Sequence, residues 1–534
     1  MSDLVEFNKD KSDFAKWYDT ILIAADILDK RYPVKGMPVM KPAGWYIHEK
    51  IMRLAEDEWE KQGIDKCQFP TLIPETFLTK EEEHVAGFEK ECFWVTKGGL
   101  NTLDIRLALR PTSETAMYSM FSLWVRSYAD LPLKVHQSCN VFRYETKSTK
   151  PLIRVREIPW NEAHTAHATA EDAEENLRQA WVGYDEVINR QLGFYGLVLR
   201  RPEWDKFAGS IYTEVLDTIM PCGRVLQTVG AHNLGQKFAK VFDIKYQTED
   251  NREEYAHMTC YGISTRVMAA CLSIHGDDRG LVLPPVIAKV QAVVIPIKPK
   301  QPAEKTEENI AAAEASWQKI LASSKKITAA LQAAGIRAKL DDSDRTPGFK
   351  YAHWELRGIP LRVEVGPRDV DHEDEAEFEC MMVPRNNNMP AGKGKKGKQA
   401  KQAAETPQTG LDKRLVKQAD IAAEAHKFLD DIIDKLRDEA QRQHNERVVK
   451  CFRLSDVKKA MKKGKVALVP FCDMGDKGKQ AEDRIREYLG ADLPGEVRGW
   501  DPRITDSLEG KTCIASKPDE PDAAHYWAYI ARAY

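Results

Sequence analysis

From Trp45 to Gly63, apolar side chains recur at Ile47, Ile51 and Leu54, the spacing of one face of an amphipathic helix. The next segment, CQFPTLIP (67–74), is strand-like and punctuated by prolines. Two longer runs, LPLKVHQSCNVFRYE and PLIRVREIPWNE, predict strands joined by the short polar loop TKSTK. Thr169 with Asp172 predicts a capping box, and the helix it opens runs to about Val187. Helical and strand-like patterns thus alternate through a first region, residues 1–287.

The pattern changes near Ile287. VQAVVIPI predicts a buried strand, a helix follows from about Glu307 to Ala334, and IRAKLDD, LRVEVG and EFECMMVP predict three more strands. Strands alternating with helix fit a small α/β domain over 288–385. Residues 386–410 (NNNMPAGKGKKGKQAKQAAETPQTG) are low in complexity and offer nothing for a core, which predicts a flexible basic linker. A long charged helix is expected from about Leu411 to Val448. The rest, to Tyr534, again mixes strands (KVALVPF) and helices (GKQAEDRIREYLG), so 411–534 reads as a C-terminal α/β domain.

Composition narrows the setting. A hydrophobic fraction of 43% over 534 residues suits two to four domains with sizeable cores. No apolar run reaches the length of a membrane helix, and MSDLVEFNKDKSDFAKW lacks the apolar core of a secretion signal. Ten scattered cysteines, several in apolar surroundings such as Cys271 and Cys380, predict reduced thiols in a cytoplasmic protein. The net charge of −3, from 79 basic and 82 acidic side chains, leaves a nucleic-acid partner open, since a local basic face suffices. GKGKKG (392–397) matches a dinucleotide fingerprint in form, but no strand precedes it, and its lysines read as a solvated tether. Cys472 and Cys513 each lack a second cysteine at ligand spacing, so a four-ligand zinc site is not expected.

One stretch stands out by charge. FRYETKSTKPLIRVREIPWNEAHTAHA (142–168) holds three arginines, two lysines, three glutamates and two histidines around one tryptophan. A salt-bridged surface hairpin would read this way, and so would a site that grips an anion and a cation together. Three other segments decide between them: LRPTSET (109–115), YGISTR (261–266) and HGDDRGLVLPP (275–285). With Pro70 of QFPTLIP, they resemble the signature motifs of class II aminoacyl-tRNA synthetases. Pro70 is similar to the first motif's proline, Phe142-Arg143-Tyr144-Glu145 to the opening of the second, and Gly262 with Thr265-Arg266 to the third. LRPTSE, WVRSYADLPLKVHQ, the W-x-E-x-H of Trp160, Glu162 and His164, KFAG (206–209) and WELRGIPLRVEVGPRD (354–369) resemble prolyl-tRNA synthetases of archaeal and eukaryotic type. The resemblance runs from about Ala15 to Tyr534 and weakens after Arg385.

The resemblance implies an α+β catalytic domain, an antiparallel sheet with flanking helices. An α/β anticodon-binding domain and a small C-terminal α/β domain that lacks most of the family's zinc ligands would follow it. It implies a ligase that uses ATP and Mg2+ to form prolyl-adenylate and then charges tRNA(Pro), as a homodimer. The attacking carboxylate is already an anion, so such a reaction needs positioning and positive charge rather than a general base. By the resemblance, Arg143 and Arg266 are catalytic and hold the α- and γ-phosphates, and Arg154 helps on the pyrophosphate side. Glu145 takes the adenine amino group, and Gln227 and Thr228 also bind ATP. Thr112, Glu114 and His164, oriented by Glu162, receive the proline ammonium. Trp160, Phe88 and Phe207 face its ring, Arg143 its carboxylate, and Cys260 lies in the pocket floor. Glu355, Arg362, Arg368 and Asp369 match positions that read the anticodon guanines.

The sequence also departs from the family. Ile158 stands where a stacking phenylalanine is usual, Val155 replaces a threonine, Gly230 lies in a run usually rich in hydroxyls, and Cys260-Tyr261 replaces Ser-Trp. The last change puts discrimination against cysteine and alanine at issue. Between Trp160 and Gly262 there is no room for the large editing insert of the bacterial form. Two rivals follow: a threonyl or seryl enzyme, and a catalytically inactive paralogue acting as an RNA-binding or scaffold protein.

Overall fold

The residues described by this computed structural model are 7–78, 91–146, 148–304, 306–385, 411–517 and 519–534; Phe88 and the basic segment 386–410 lie outside them. The alternating runs of the first region become strands of one sheet: β1 (Asp65–Lys66), β2 (Leu133–Phe142), β3 (Glu157–His167), β4 (Leu197–Arg200), β5 (Tyr212–Ile219), β6 (Arg224–Gly235) and β7 (His257–Ser264). Their spatial order is β4-β5-β6-β7-β3-β2-β1, with antiparallel pairing everywhere except at the short β1 edge.

Three helices cover one face: α1 (Pro42–Lys61), α3 (Ala170–Tyr184) and α4 (Thr265–His275). Pro42 sits in the first turn of α1, where its missing N–H costs nothing, and the Thr169 hydroxyl accepts from Asp172 N to start α3. Odd-numbered β3 residues face these helices. Trp59 Nε1 donates to Asn161 Oδ1 at 2.9 Å, and Thr165 Oγ1 donates to Asn176 Oδ1 at 3.2 Å. Even-numbered residues face the other way, towards α2 (Glu114–Trp124), because side chains alternate along a strand.

The expected strand PLIRV is instead a turn. Leu152 has a left-handed φ of +62°, and Arg154 N donates back to Lys150 O at 2.8 Å. The turn buries Leu152 and Ile153 and presents their carbonyls to α4: Thr265 Oγ1 donates to Leu152 O, and Arg266 Nε to Ile153 O, both at 3.0 Å. The polar loop is therefore longer than the sequence pattern suggests.

The second unit contains β8 (Ala292–Pro296), β9 (Ala338–Leu340), β10 (Leu361–Val365), β11 (Glu379–Pro384) and β12 (Arg414–Lys417), in the order β9-β8-β10-β11-β12. Helices α5 (Glu307–Ala333) and α6 (Ile421–Arg447) pack on it. The boundary expected at Leu411 thus falls inside a packed unit. Residues 414–417 form a strand rather than helix and pair with β11, while Ile421, Phe428, Ile432 and Leu436 share a core with Val363 and Val365. Each of these buried α6 side chains contributes about 2 kcal/mol. Amphipathic spacing reports that a helix has a buried face, but not which core receives it.

The C-terminal strands β13 (Val448–Lys450), β14 (Val466–Phe471), β15 (Glu496–Trp500) and β16 (Tyr526–Ala533) continue the first sheet rather than closing a separate one. Trp500 of β15 pairs with Arg200 of β4, and Arg532 and Ala533 of β16 run parallel to Arg224 and Val225 of β6. At this seam Asp217 of β5, fully buried, meets two guanidiniums. Arg201 reaches it at 2.9 and 3.1 Å, and Arg498 of β15 at 2.8 Å.

Candidate active site

The register of β2, β3, β7, β6 and β5 lays the polar residues out in three cross-strand rows. Cys139, Trp160 and Ser264 form one. Gln137, Glu162, Gly262 and Gly230 form the next. Val135, His164, Cys260, His232 and Thr213 form the third. The W-x-E-x-H spacing is therefore strand alternation, and each of its three side chains opens one row. The two glycines lower the floor: a Cβ on Gly262 would lie 2.9 Å from Asn161 O, and one on Gly230 would lie 3.2 Å from His232 Nε2. The central members of these rows, from Trp160, Glu162 and His164 across to Gly230 and His232, line a cavity of about 240 Å3 that also takes Thr112, Glu114, Arg143, Phe207 and Arg266 into its walls.

One end is acidic. Glu114, in the first turn of α2, accepts from the Thr112 hydroxyl and, at 3.7 Å, from the Cys260 thiol. Glu162 accepts from the Ser113 hydroxyl and from Gln137 Nε2 at 2.9 Å, and its other oxygen lies 3.1 Å from His164 Nε2. The Tyr118 hydroxyl meets His164 Nδ1, also at 3.1 Å. Burial by itself lowers the imidazole pKa. The Glu162 hydrogen bond and the charges of Glu162 and Glu114 outweigh it and hold His164 above its ordinary value.

The other end is basic. Arg143 leaves β2, donates from Nε to Pro111 O at 3.1 Å, and lies 5.7 Å from the Trp160 ring centre. Arg266, in the first turn of α4, donates to Ile153 O and, at 3.4 Å, to Gln227 O; among the described residues no carboxylate forms an ion pair with it. Burial, reinforced by the positive charges of Arg143 and Arg154, pushes Arg266 down to about 10. Arg154 is bound to Glu145 at 3.0 Å and to the Tyr534 main-chain oxygen at 3.1 Å. A buried guanidinium crowded by neighbouring cations in this way marks a place for an anion.

Of the residues singled out beside these, Phe207 packs 4.8 Å from the His232 ring, and Thr213 fixes His232 Nδ1 at 2.9 Å. Gln227 lines the cavity with its side-chain oxygen held by Arg201 at 3.2 Å. Thr228 gives its hydroxyl to Leu216 O at 3.0 Å, within the sheet. Ile158 and Val155 make one wall aliphatic. Sequence reasoning missed Ser113, Tyr118 and Gln137, which orient the acidic end, and the Arg201–Asp217–Arg498 cluster behind Gln227. Gln137 carried a signal, since it alternates along a predicted strand; the cluster carried none.

In the second unit, Glu355 and Arg362 share a cavity of about 130 Å3 with Trp354, Arg279 and Arg385. Glu355 pairs with Arg279 at 2.6 Å, and Arg362 with Glu364 at 2.7 Å. Arg368 and Asp369 are not brought into it. Arg368 is exposed, and Asp369 accepts from Gly366 N at 2.7 Å, capping a short turn beyond β10. Cys472 and Cys513 are buried together in the C-terminal core. All ten cysteines are thiols outside any disulfide.

Half-buried His232 gives the first prediction. Burial lowers its pKa from 6.5 to about 4, so below pH 6.5 the unfolded chain takes up a proton that the folded chain refuses. Stability from this residue is complete above pH 6.5, falls as pH drops towards 4, and amounts to about 3 kcal/mol. Denaturant midpoints of wild type and His232→Gln between pH 7 and 4 measure it. The wild-type loss should be the steeper, and parallel curves would refute it.

With this geometry in place, comparison with known proteins is direct. Residues 93–275 match the tRNA synthetase class II core domain (G, H, P, S and T), and residues 291–378 an anticodon binding domain. A proline–tRNA ligase of Methanosarcina mazei is 42% identical over 525 residues, 98% of each chain. That of Pyrococcus abyssi is 40% identical over 534 residues, 99% of this chain and 100% of the relative. Among solved structures, Giardia lamblia prolyl-tRNA synthetase in complex with prolyl-adenylate superposes with a TM-score of 0.87 at 42% identity, covering both chains fully. The Cryptosporidium parvum prolyl-tRNA synthetase, complexed with halofuginone and AMPPNP, gives 0.85 at 28%, again over both full chains.

Proposed function

The chain belongs to the proline–tRNA ligase family, and from that premise we propose how its residues divide the reaction. It joins proline to its tRNA with ATP, by way of prolyl-adenylate. The acidic end takes the proline ammonium: Glu114 and Thr112 accept it, and His164, fixed between Tyr118 and Glu162, completes that wall. Trp160 and Phe207 face the ring. Arg143, between the two ends, holds the proline carboxylate and the α-phosphate together. A carboxylate oxygen attacks phosphorus, the bond to the bridging oxygen breaks, and pyrophosphate leaves. Arg266 and Arg154 meet the charge that grows on the departing oxygens, and Glu145 and Gln227–Thr228 position the nucleoside. Magnesium bound with ATP would add positive charge at the phosphates. The metal would be held through the ATP phosphates, because Glu145 is committed to Arg154 at 3.0 Å and to the nucleoside.

For the tRNA, Glu355 and Arg362 supply an acceptor and a donor at one cavity, which suits guanine edges, while Arg368 would serve backbone contact from outside it. Residues between Trp160 and Gly262 are taken up by β3, α3 and β4–β7 with their connections, which supports an enzyme without a hydrolytic editing domain in this chain. Trp45, exposed on α1, supports pairing of two copies at the helix before the first motif. Thiols outside disulfides support a cytoplasmic setting, and no helix among the described residues is long and apolar enough to cross a membrane.

The observation that carries this reading is the single cavity with carboxylates at one end and arginines at the other. Amino-acid-dependent ATP–pyrophosphate exchange tests it across the standard amino acids. Proline should support exchange, and cysteine should give a weaker but measurable signal in the pocket floored by Cys260. No exchange with any amino acid, from folded protein, would return the inactive RNA-binding scaffold to first place.

A further inference from the structure

The acidic end of the cavity contains a second chemistry. Glu114, His164 and Cys260 are all buried, and their ligand atoms lie within 4.8 Å of one another; among the described residues this is the one such group of three. They are a carboxylate oxygen, an imidazole nitrogen and a sulfur, converging from the first turn of α2, from β3 and from β7. We propose that this trio is a Zn2+ site inside the amino-acid pocket, and that Zn2+ and proline exclude one another.

Four features carry the proposal. The donor set mixes sulfur, nitrogen and oxygen, which suits zinc rather than magnesium or calcium. The ligand atoms, within 4.8 Å of one another, already lie near the span set by zinc bond lengths of about 2.0–2.3 Å. Each protein ligand already has an orienting partner. Thr112 donates to Glu114, and Tyr118 and Glu162 hold the two nitrogens of His164, so whichever nitrogen binds the metal, the other stays fixed. Finally, the pocket opens on the cavity of about 240 Å3, which leaves the fourth position to water or to an incoming group. Binding is an exchange of a proton for a metal: the Zn–S bond forms as the Cys260 S–H proton leaves to solvent. The charge that prepares this end for an ammonium prepares it equally for a dication. Exclusion of proline by the metal rests on the reading of the cavity as the proline pocket; the metal site itself does not.

The experiment uses the full chain stripped of metal with a chelator. Zn2+ uptake is measured alone by equilibrium dialysis, and Co2+ serves as a spectroscopic stand-in whose thiolate-to-metal absorption reports sulfur ligation. Expected are one bound ion, a cobalt–thiolate band, and a loss of affinity of about 100-fold or more in Cys260→Ser. A Cys472→Ser/Cys513→Ser double variant should keep uptake unchanged. Proline should displace the ion, and Zn2+ should raise the KM for proline in exchange assays without lowering kcat. Uptake that survives in Cys260→Ser, or is lost in the double variant, would overturn the proposal, as would no uptake at all. Uptake lost in Cys260→Ser but indifferent to proline would keep the metal site and refute the placement of proline.

Discussion

Arg266→Ala is expected to lower kcat/KM for proline-dependent exchange by about 10³-fold, roughly 4 kcal/mol of transition-state stabilisation. The reason is where Arg266 spends its hydrogen bonds. It anchors on two main-chain carbonyls, Ile153 O and Gln227 O, and forms no ion pair among the described residues, so its charge is committed to the cavity. A carboxylate nucleophile needs no proton removed, so the barrier lies in charge growing on phosphate oxygens, and one preorganised guanidinium there is worth that much. Lysine keeps the charge but loses the fork that holds the Ile153 turn, so Arg266→Lys should recover only part of the loss. The KM for ATP should move more than the KM for proline. Thermal unfolding checks that the variant is folded; exchange within about tenfold of wild type would remove Arg266 from the reaction.

The second large effect concerns stability. Asp217→Asn should destabilise the chain by about 3 kcal/mol and lower Tm by on the order of 5 °C. Asp217 is fully buried between Arg201 and Arg498. Burial by itself raises its pKa, but the two guanidiniums more than reverse that and keep it ionised. Removing the anion leaves two buried cations. Asp205, 3.5 Å from Arg201, and Glu496, paired with Arg498, compensate at the rim, which keeps the cost at the low end of the range for broken buried pairs. Because Arg201 also holds the Gln227 side chain, the KM for ATP should rise as well. Hydrogen exchange should locate the loosening at β5 and β15. An unchanged Tm would mean that the cluster is held by packing rather than by charge.

How much of this was legible beforehand depends on how local each cause is. The alternation of Trp160, Glu162 and His164 is written in consecutive residues, so the strand and its functional face could be read together. The turn at Leu152 could not, because its left-handed backbone answers to carbonyls wanted by Thr265 and Arg266, more than a hundred residues on. The Arg201–Asp217–Arg498 cluster spans 281 positions between its acid and its far arginine, and single charges at that separation look like surface. The same limit misplaced the start of the C-terminal domain: α6 displays an apolar stripe, and nothing in the stripe names its core. Arg368 and Asp369 were singled out by resemblance alone; the chain turns at Gly366, and neither lines the cavity shared by Glu355 and Arg362.

The shared sheet has a consequence for how the molecule comes into being. Strand β16 lies beside β6 and β15 beside β4, while the whole β8–α6 unit is threaded between these partners in the chain. That middle unit is built from nearby segments and can collapse early. The seam must wait for ends some three hundred positions apart to find each other, and loop closure over such a span is slow and offers no reward until β15 and β16 dock. Until then β4 is an open edge, with Asp217 lacking Arg498 and the wall at Arg154 lacking Tyr534. Refolding followed in real time should therefore recover secondary structure first and adenylate synthesis last, with the lag set by search rather than by chemistry.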